Sequence, residues 1–131
     1  MTREQAKKYI SNGLFLLVLS GILWFYQRYD LIYAESGSMY PAIETGAICI
    51  VDPEAYETDK PEVGDIAVYQ TDARYVVHRV ISDESDGWYQ FKGDNNDSSD
   101  LGAVNIKDIR GRVSAVINFV APLVRKVKHL D

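Results

Sequence analysis

The sequence predicts a mostly β domain that follows a single membrane-spanning helix. Tyr9–Gln27 is a run of nineteen residues without a charge, and after Tyr29 the chain changes to short runs of β-branched and aromatic residues. Clusters of Gly, Pro, Asp and Asn separate these runs, as turns separate strands. We therefore expect a cytoplasmic arm over residues 1–8, a transmembrane helix over residues 9–29 and an extracytoplasmic β-rich domain over residues 30–131.

The uncharged run has the length and flanks of a membrane helix. Nineteen helical residues rise about 28 Å, close to the ~30 Å hydrocarbon core of a bilayer. Trp24, Tyr26 and Tyr29 lie where aromatic side chains favour the headgroup region. Residues 1–13 hold three basic residues and one acidic residue, whereas residues 28–131 hold eleven basic and eighteen acidic residues. Because Lys and Arg stay on the cytoplasmic side, this asymmetry predicts a cytoplasmic N-terminus.

Two other interpretations of the run are weaker. A cleaved signal peptide would place the cut at Ala34, but the run exceeds the usual apolar region of ~7–15 residues, and Ile32 is too large for the small-residue pattern before a cut. A buried helix of a soluble protein would show a polar face at helical period. No such face recurs between Tyr9 and Gln27.

Five runs predict the strands of the β-rich domain. We expect no sustained amphipathic helix there, although Asn105–Ile109 could form one helical turn. Val113–Val124 is uncharged but contains Pro122 and is too short to span a bilayer. It is expected to be an ordinary strand, and an apolar edge touching the bilayer is the alternative. The five predicted strands are Ala47–Val51, Ile66–Gln70, Tyr75–Ile81, Trp88–Lys92 and Arg112–Phe119.

The composition excludes several classes of protein. A chain of 131 residues is typical of one domain, and an apolar content of 47% is too high for a disordered chain. Fourteen basic residues against nineteen acidic ones disfavour a nucleic-acid partner. Cys49 is the one cysteine, which excludes an internal disulfide, and its apolar strand predicts a buried, structural thiol.

Two segments of the domain contain candidate nucleophile and base residues. Ser38 lies between small residues in Ser36–Pro41, an arrangement that exposes a hydroxyl but also occurs in ordinary flexible turns. His78 lies in an apolar strand, and the other histidine, His129, is in a tail expected to fray. A general base that works near neutral pH would therefore be His78. Strand alternation directs Arg79 to the opposite face, toward solvent or a carboxylate.

The polar loop after the predicted strand Trp88–Lys92 supplies carboxylates. Residues 92–100 contain Asp94, Asp97 and Asp100, and a serine–histidine pair needs one such carboxylate to orient the imidazole. A calcium loop is a poor alternative, because no glutamate closes the ligand set as in an EF-hand. A plain solvated loop is the third interpretation. The residues themselves leave the choice among the three aspartates open.

Taken together and in order, these segments resemble the type I signal peptidases. The branch that they resemble uses serine and histidine and occurs in archaea, in the endoplasmic reticulum and in some Gram-positive bacteria. The matching blocks extend over most of the β-rich domain, and the preceding helix also fits. The blocks are SGSMYP (36–41), AICIVDP (47–53), PEVGDIAVY (61–69), VVHRV (76–80), FKGDNN (91–96) and IRGRV (109–113).

The resemblance implies a compact antiparallel β catalytic domain and a role for each site residue. Ser38 would be the nucleophile, and His78 would take the place of the lysine base found in most bacterial and mitochondrial members. Asp100 would orient His78, and Asp94 would be a second required acid that braces the loop. Ser36 would help the Ser38 amide to bind the oxyanion, whereas Asp97 has no counterpart. The resemblance implies no cofactor or metal.

The implied substrate is the signal peptide of a secretory preprotein. It would bind as an added strand between residues 33–36 and residues 74–77, at the outer surface of the cell membrane or the endoplasmic reticulum membrane. The lipid bilayer is the other expected partner, and the chain would act either alone or as a member of a membrane complex. The alternative is a catalytically silent single-span protein whose β domain binds translocating chains or a peptidase. A self-cleaving repressor-type peptidase is a weaker alternative, since this chain lacks its lysine and has a membrane helix.

Overall fold

The computed structural model of the protein describes residues 1–130, so Asp131, the last residue of the predicted β-rich domain, lies outside the described residues. In that part of the chain, a long apolar helix precedes an antiparallel β half-barrel, which confirms the prediction of a mostly β fold behind one N-terminal helix. The elements are α1 (Arg3–Arg28), β1 (Asp30–Tyr33), β2 (Ile48–Asp52), β3 (Ile66–Gln70), β4 (Tyr75–Asp83), β5 (Trp88–Lys92), β6 (Val104–Asn105), a 3-10 turn (Ile106–Asp108), β7 (Ile109–Ile117) and α2 (Ala121–Lys128).

Helix α1 begins six residues before the predicted start at Tyr9, because a capping box nucleates it. The Thr2 hydroxyl accepts a hydrogen bond from the Gln5 amide at 3.2 Å, and the Gln5 side chain accepts one from the Thr2 amide at 2.8 Å. The 26 residues of α1 stay exposed or half-buried along the whole helix and rise about 39 Å. A helix of this length and composition could span a membrane.

The strands of residues 1–130 form one seven-stranded sheet in the order β1-β2-β7-β3-β4-β5-β6, and every neighbouring pair is antiparallel. Irregularities in register interrupt the pairs β2–β7, β3–β7 and β4–β5. Such bulges increase local twist and bend the strand, which is how an open sheet curls into a half-barrel.

The five predicted strands are all present, and their ends differ from the predicted ends by three residues or fewer. β3 and β5 have the predicted bounds. Two short strands, β1 and β6, were not predicted, because four and two residues are too few to show alternation. Their pairing with β2 and with β5 makes them strands.

Helix α2 corrects the expectation that the β-rich domain lacks an amphipathic helix. β7 ends at Ile117, so the strand predicted over Val113–Val124 covers only the first part of that segment. Pro122 lies in the first turn of α2, where its missing N–H would have had no helical partner. The single helical turn expected within Asn105–Ile109 is confirmed as the 3-10 turn Ile106–Asp108.

The core lies on both faces of β3. Ala67, Val68 and Tyr69 are all buried, and because successive side chains alternate, Val68 packs on one face while its two neighbours pack on the other. The first cluster contains Met39, Ile43, Ala47, Cys49, Val51, Val68 and Ala121, and the second contains Ala67, Tyr69, Val80, Tyr89 and Phe91.

Cys49 is fully buried in the first cluster, as predicted, and burial raises the pKa of its thiol to about 11. The thiol therefore stays protonated near neutral pH and packs as a small apolar side chain.

An ion pair joins the end of α1 to the sheet. The Arg28 guanidinium donates to both carboxylate oxygens of Asp52, at 2.6 and 3.2 Å, and its Nε lies 3.3 Å from Glu54. These hydrogen bonds hold the pKa of Asp52 below its usual value. Because Asp52 ends β2, the pair fixes the apolar helix to the sheet at the point where the chain leaves the helix.

We predict that Gly111→Ala strongly destabilises the domain. A Cβ on Gly111 would collide with the Asp52 carbonyl oxygen and lie 2.9 Å from Val51 Cγ1. The colliding oxygen belongs to the backbone of a paired strand, so relieving the clash would disturb the pairing of the sheet. The free energy of unfolding should fall by about 1–3 kcal/mol, measured by denaturant unfolding of the full chain in detergent. Ser114→Ala, at an exposed position of the same strand, is the control. Equal stability of the two variants would contradict the predicted close approach.

Candidate active site

A serine, a histidine and an aspartate from three separate segments meet beside β4. His78 Nε2 lies 3.1 Å from Ser38 Oγ, and His78 Nδ1 lies 2.6 Å from Asp100 Oδ2. These contacts bring together residues that are 40 and 22 positions apart in the sequence. The result is a continuous hydrogen-bonded chain from a hydroxyl through an imidazole to a carboxylate.

Ser38 lies in the tight segment between β1 and β2. The Tyr40 amide donates to the Gly37 carbonyl at 3.1 Å, and the Ile43 amide donates to the Met39 carbonyl at 3.0 Å. Met39 and Ile43 are buried in the first core cluster, so the residue after Ser38 is anchored in the core. Ser38 itself stays half-exposed, with its hydroxyl directed toward the imidazole.

The polar loop after β5 holds the Ser38 segment in place. The Asn95 amide donates to the Ser38 carbonyl at 2.8 Å, and the Asn95 side chain donates to the Gly37 carbonyl at 3.1 Å. Gly93 permits this approach, because a Cβ there would lie 2.7 Å from the same Ser38 carbonyl oxygen. Gly93 and Asn95 together thus position the loop against Ser38.

The surroundings of Asp100 determine the tautomer of His78. Asp100 Oδ2 accepts a hydrogen bond from the Tyr69 hydroxyl at 2.6 Å and faces His78 Nδ1 at the same distance. A carboxylate has only acceptors to offer, so Nδ1 carries the proton and Nε2 presents its lone pair to Ser38. Asp100 is itself held by its amide, which donates to the Phe91 carbonyl, and by Gln90, whose side chain donates to its carbonyl.

Tyr69 is a site residue that sequence reasoning missed. It lies in a run of apolar residues, where an aromatic ring is expected to belong to the core. The ring does pack in the core, with its centroid 4.8 Å from that of the Phe91 ring. Burial, and then the hydrogen bond to Asp100, raise the pKa of Tyr69 well above its usual value. The available signal was chemical: a buried tyrosine hydroxyl needs a partner, and the loop aspartates were the unassigned acceptors.

Asp94 lies away from the hydroxyl–imidazole–carboxylate chain. It forms a bidentate ion pair with Arg79, whose Nε and Nη2 donate to the two Asp94 carboxylate oxygens at 2.8 and 2.6 Å. Arg79 also donates to the Gly64 carbonyl at 2.8 Å, so the pair joins the loop to β4 and to the segment before β3. The hydrogen bonds from Arg79 hold the pKa of Asp94 below its usual value.

The remaining predicted residues are Ser36 and Asp97. The Ser36 hydroxyl donates to Ser38 Oγ at 3.3 Å and accepts from the Ser38 amide at 3.5 Å, so it lies directly beside the Ser38 hydroxyl. Asp97 is exposed in the loop. Within residues 1–130, no group of three or more His, Cys, Asp and Glu side chains is arranged to hold a metal ion.

A cleft of about 710 Å³ opens beside Ser38 and His78. Two strand edges line it. β1 is the first strand of the sheet, and pairing of β4 with β5 begins only at Arg79, so the start of β4 pairs with β3 alone among the described strands. The cleft is lined mainly by residues 31–36, from β1 to Ser36, and by residues 74–78, at the start of β4.

The sequence is similar to that of a known protein. Over 88 residues, the chain is 31% identical to signal peptidase I W of Bacillus subtilis (strain 168). The similarity supports a relationship to signal peptidase I. It covers 64% of this chain and 46% of the relative, so the chain spans about half the length of that relative. No protein-family model matches the chain.

We predict that Tyr69→Phe destabilises the domain by about 1.5–3 kcal/mol, because Asp100 loses a donor in a partly buried setting. Thermal or denaturant unfolding of the full chain in detergent measures this change. Tyr75→Phe is the matched control, since Tyr75 is 62% exposed and the change should cost at most about 0.5 kcal/mol. A Tyr69→Phe protein as stable as the control would mean that the tyrosine hydroxyl does not support Asp100.

We also predict a pH-dependent effect of Asp94→Asn. Folding lowers the pKa of Asp94, so the pair with Arg79 stabilises the folded protein fully at pH values above the unfolded pKa of about 4. This stabilisation is lost as the pH falls through the lowered pKa of the folded state.

The unfolding free energies of wild type and Asp94→Asn should therefore differ more at about pH 7 than at about pH 3. Asp97→Asn, at an exposed position of the same loop, is the control, and its difference in unfolding free energy from wild type should be the same at both pH values. A difference for Asp94→Asn that is the same at both pH values would contradict the prediction.

Proposed function

We propose that this chain is a membrane-anchored serine endopeptidase of the Ser–His branch of signal peptidase I, which cleaves signal peptides from secretory preproteins. The supporting observation is the hydrogen-bonded chain from Ser38 through His78 to Asp100 in a protein similar to a signal peptidase I. His78 stands where a lysine base would be expected in most bacterial members, and its Nε2 faces the serine hydroxyl.

In the proposed reaction, Ser38 Oγ attacks the carbonyl carbon of the scissile peptide bond while its proton passes to His78 Nε2. Asp100 accepts from Nδ1 and stabilises the resulting imidazolium. The Ser38 amide and the Ser36 hydroxyl donate to the oxyanion. Collapse of the tetrahedral intermediate breaks the C–N bond, and His78 returns the proton to the leaving amine. Water, activated by His78, then hydrolyses the acyl-enzyme by the same steps and frees Ser38.

The substrate would bind as an extended strand in the cleft between β1 and the start of β4. Free strand edges offer backbone amides and carbonyls to such a strand, which is the usual route of β-augmentation. Apolar side chains at the cleft, among them Ile43, Val76 and Met39, favour apolar side chains of the signal peptide. The resemblance to signal peptidases implies small residues at the first and third positions before the cut.

The proposed topology has residues 1–8 in the cytoplasm, residues 9–29 across the bilayer and the catalytic domain from residue 30 onward outside. The acidic composition of the domain against the basic arm supports it. The chain would act at a cell membrane or at the endoplasmic reticulum membrane, alone or within a membrane complex.

We predict that Ser38→Ala and His78→Ala reduce cleavage of a model preprotein by about 10³-fold or more, since each removes a step of the reaction. The assay uses the full chain in detergent or liposomes and separates product from preprotein by gel electrophoresis. Ser98→Ala, at an exposed position of the polar loop, is the matched serine control and should cleave at the wild-type rate.

Wild-type cleavage by Ser38→Ala would overturn the mechanism. A wild-type chain that binds the preprotein without releasing product would instead favour the silent binding protein.

A further inference from the structure

The outer face of α2 carries a stripe of exposed apolar side chains. Phe119, in the turn before the helix, is 86% exposed, and Leu123 and Val127 are each 65% exposed. A spacing of four residues places Leu123 and Val127 on one helix face, and Phe119 extends the stripe by one turn. Large exposed apolar side chains grouped in this way indicate a contact surface rather than random surface composition.

The inner face of α2 is already occupied by the domain. Ala121 is fully buried in the first core cluster, and its carbonyl oxygen lies so near Gly46 that a Cβ there would be 2.7 Å away. Arg125 donates to the Thr45 carbonyl at 2.9 Å. The helix is therefore fixed in orientation, and its apolar stripe faces away from the core.

The segment that ends in α2 is opposite in charge to the rest of the domain, and Glu44 is the acidic residue that pairs with it, 3.9 Å from Arg125. Residues 29–108 contain five basic and seventeen acidic residues, whereas residues 109–130 contain five basic residues and no acidic residue. Three of these, Arg125, Lys126 and Lys128, lie on α2 itself. The exposed Lys126 flanks the apolar stripe on the helical wheel. An apolar stripe with flanking lysine is the pattern of a helix that lies in an anionic membrane surface.

The position of α2 relative to α1 keeps it near the bilayer. Lys128 Nζ lies 5.2 Å from the centre of the Tyr33 ring, and Tyr33 follows the end of α1 by five residues. Five extended residues span at most about 17 Å, so the helix stays close to the level at which the chain leaves the membrane helix.

We propose that α2 docks by its Phe119–Leu123–Val127 face on the anionic surface of the bilayer that α1 enters. The proposal rests on the membrane insertion of α1 in the proposed function, but not on peptidase activity. With α1 as the only membrane contact, α1 and the domain that the Arg28–Asp52 pair fixes to it could tilt together in the bilayer. A second contact at α2 holds one orientation of the domain, and with it one height and direction of the cleft relative to the lipid surface.

Site-directed spin labelling of the full chain in nanodiscs tests the proposal. Leu123→Cys carries the label, and Lys107→Cys, an exposed position beside β6, is the matched control. Unsubstituted protein treated with the same reagent measures any labelling of the buried Cys49. In discs of phosphatidylcholine with phosphatidylglycerol, the label at 123 should be more accessible to oxygen and less accessible to a water-soluble nickel chelate than the label at 107.

The contribution of charge is tested in the same discs. Adding Lys126→Gln to the labelled 123 protein should reduce the ratio of docked to undocked label about fivefold, whereas Lys60→Gln, at another exposed position, should leave it unchanged.

Equal exposure of labels 123 and 107 to the nickel chelate would overturn the proposal. A label at 123 shielded from both oxygen and nickel would also overturn it, because that result indicates contact with protein, a second copy of this chain. Since no step of this measurement uses preprotein cleavage, its failure is distinct from failure of the proposed activity.

Discussion

The hydrogen bond from the Asn95 amide to the Ser38 carbonyl is the contact on which the geometry of the site depends. At 2.8 Å, it joins the segment between β1 and β2 to the loop after β5, two pieces of chain that have no strand pairing with each other. The absence of a Cβ at Gly93 allows the approach. The same loop leads directly to Asp100, so one loop positions both ends of the hydroxyl–imidazole–carboxylate chain, while β4 supplies the imidazole between them.

The acidic residues of the loop divide into different physical settings. Asp100 accepts a hydrogen bond from the Tyr69 hydroxyl and faces His78 in a partly buried position. Asp94 is neutralised by its bidentate ion pair with Arg79. Arg79 follows His78 directly, and strand alternation sends the two side chains to opposite faces of β4. Two successive residues of β4 therefore have complementary roles: His78 is the proposed base, and Arg79 holds the loop whose Asp100 orients that base.

The apolar helix α1 is joined to the acidic domain both by the chain itself and by an ion pair. Arg28 pairs with Asp52 where the chain leaves α1, which fixes the helix to the sheet. Beyond it, β1 forms one edge of the cleft and α2 packs behind the Ser38 segment through Ala121 and Arg125. The proposed lipid contact of α2 would thus be transmitted to the cleft through packed side chains and backbone rather than through a flexible linker.

Local pattern was sufficient to predict the apolar helix, five strands and the residue types of the site, because a nineteen-residue uncharged run and short β-branched runs are visible without knowledge of the fold. It did not reveal β1, β6 or α2, because these elements of four, two and eight residues depend on the partners they pack against. The residues alone left the choice among Asp94, Asp97 and Asp100 open; the family resemblance pointed to Asp100, and the tertiary structure places its carboxylate beside His78. The contribution of Tyr69 belongs to tertiary structure alone. Both contacts depend on which loop folds over which strand, and hydrogen bonds between residues tens of positions apart have no periodicity in the sequence.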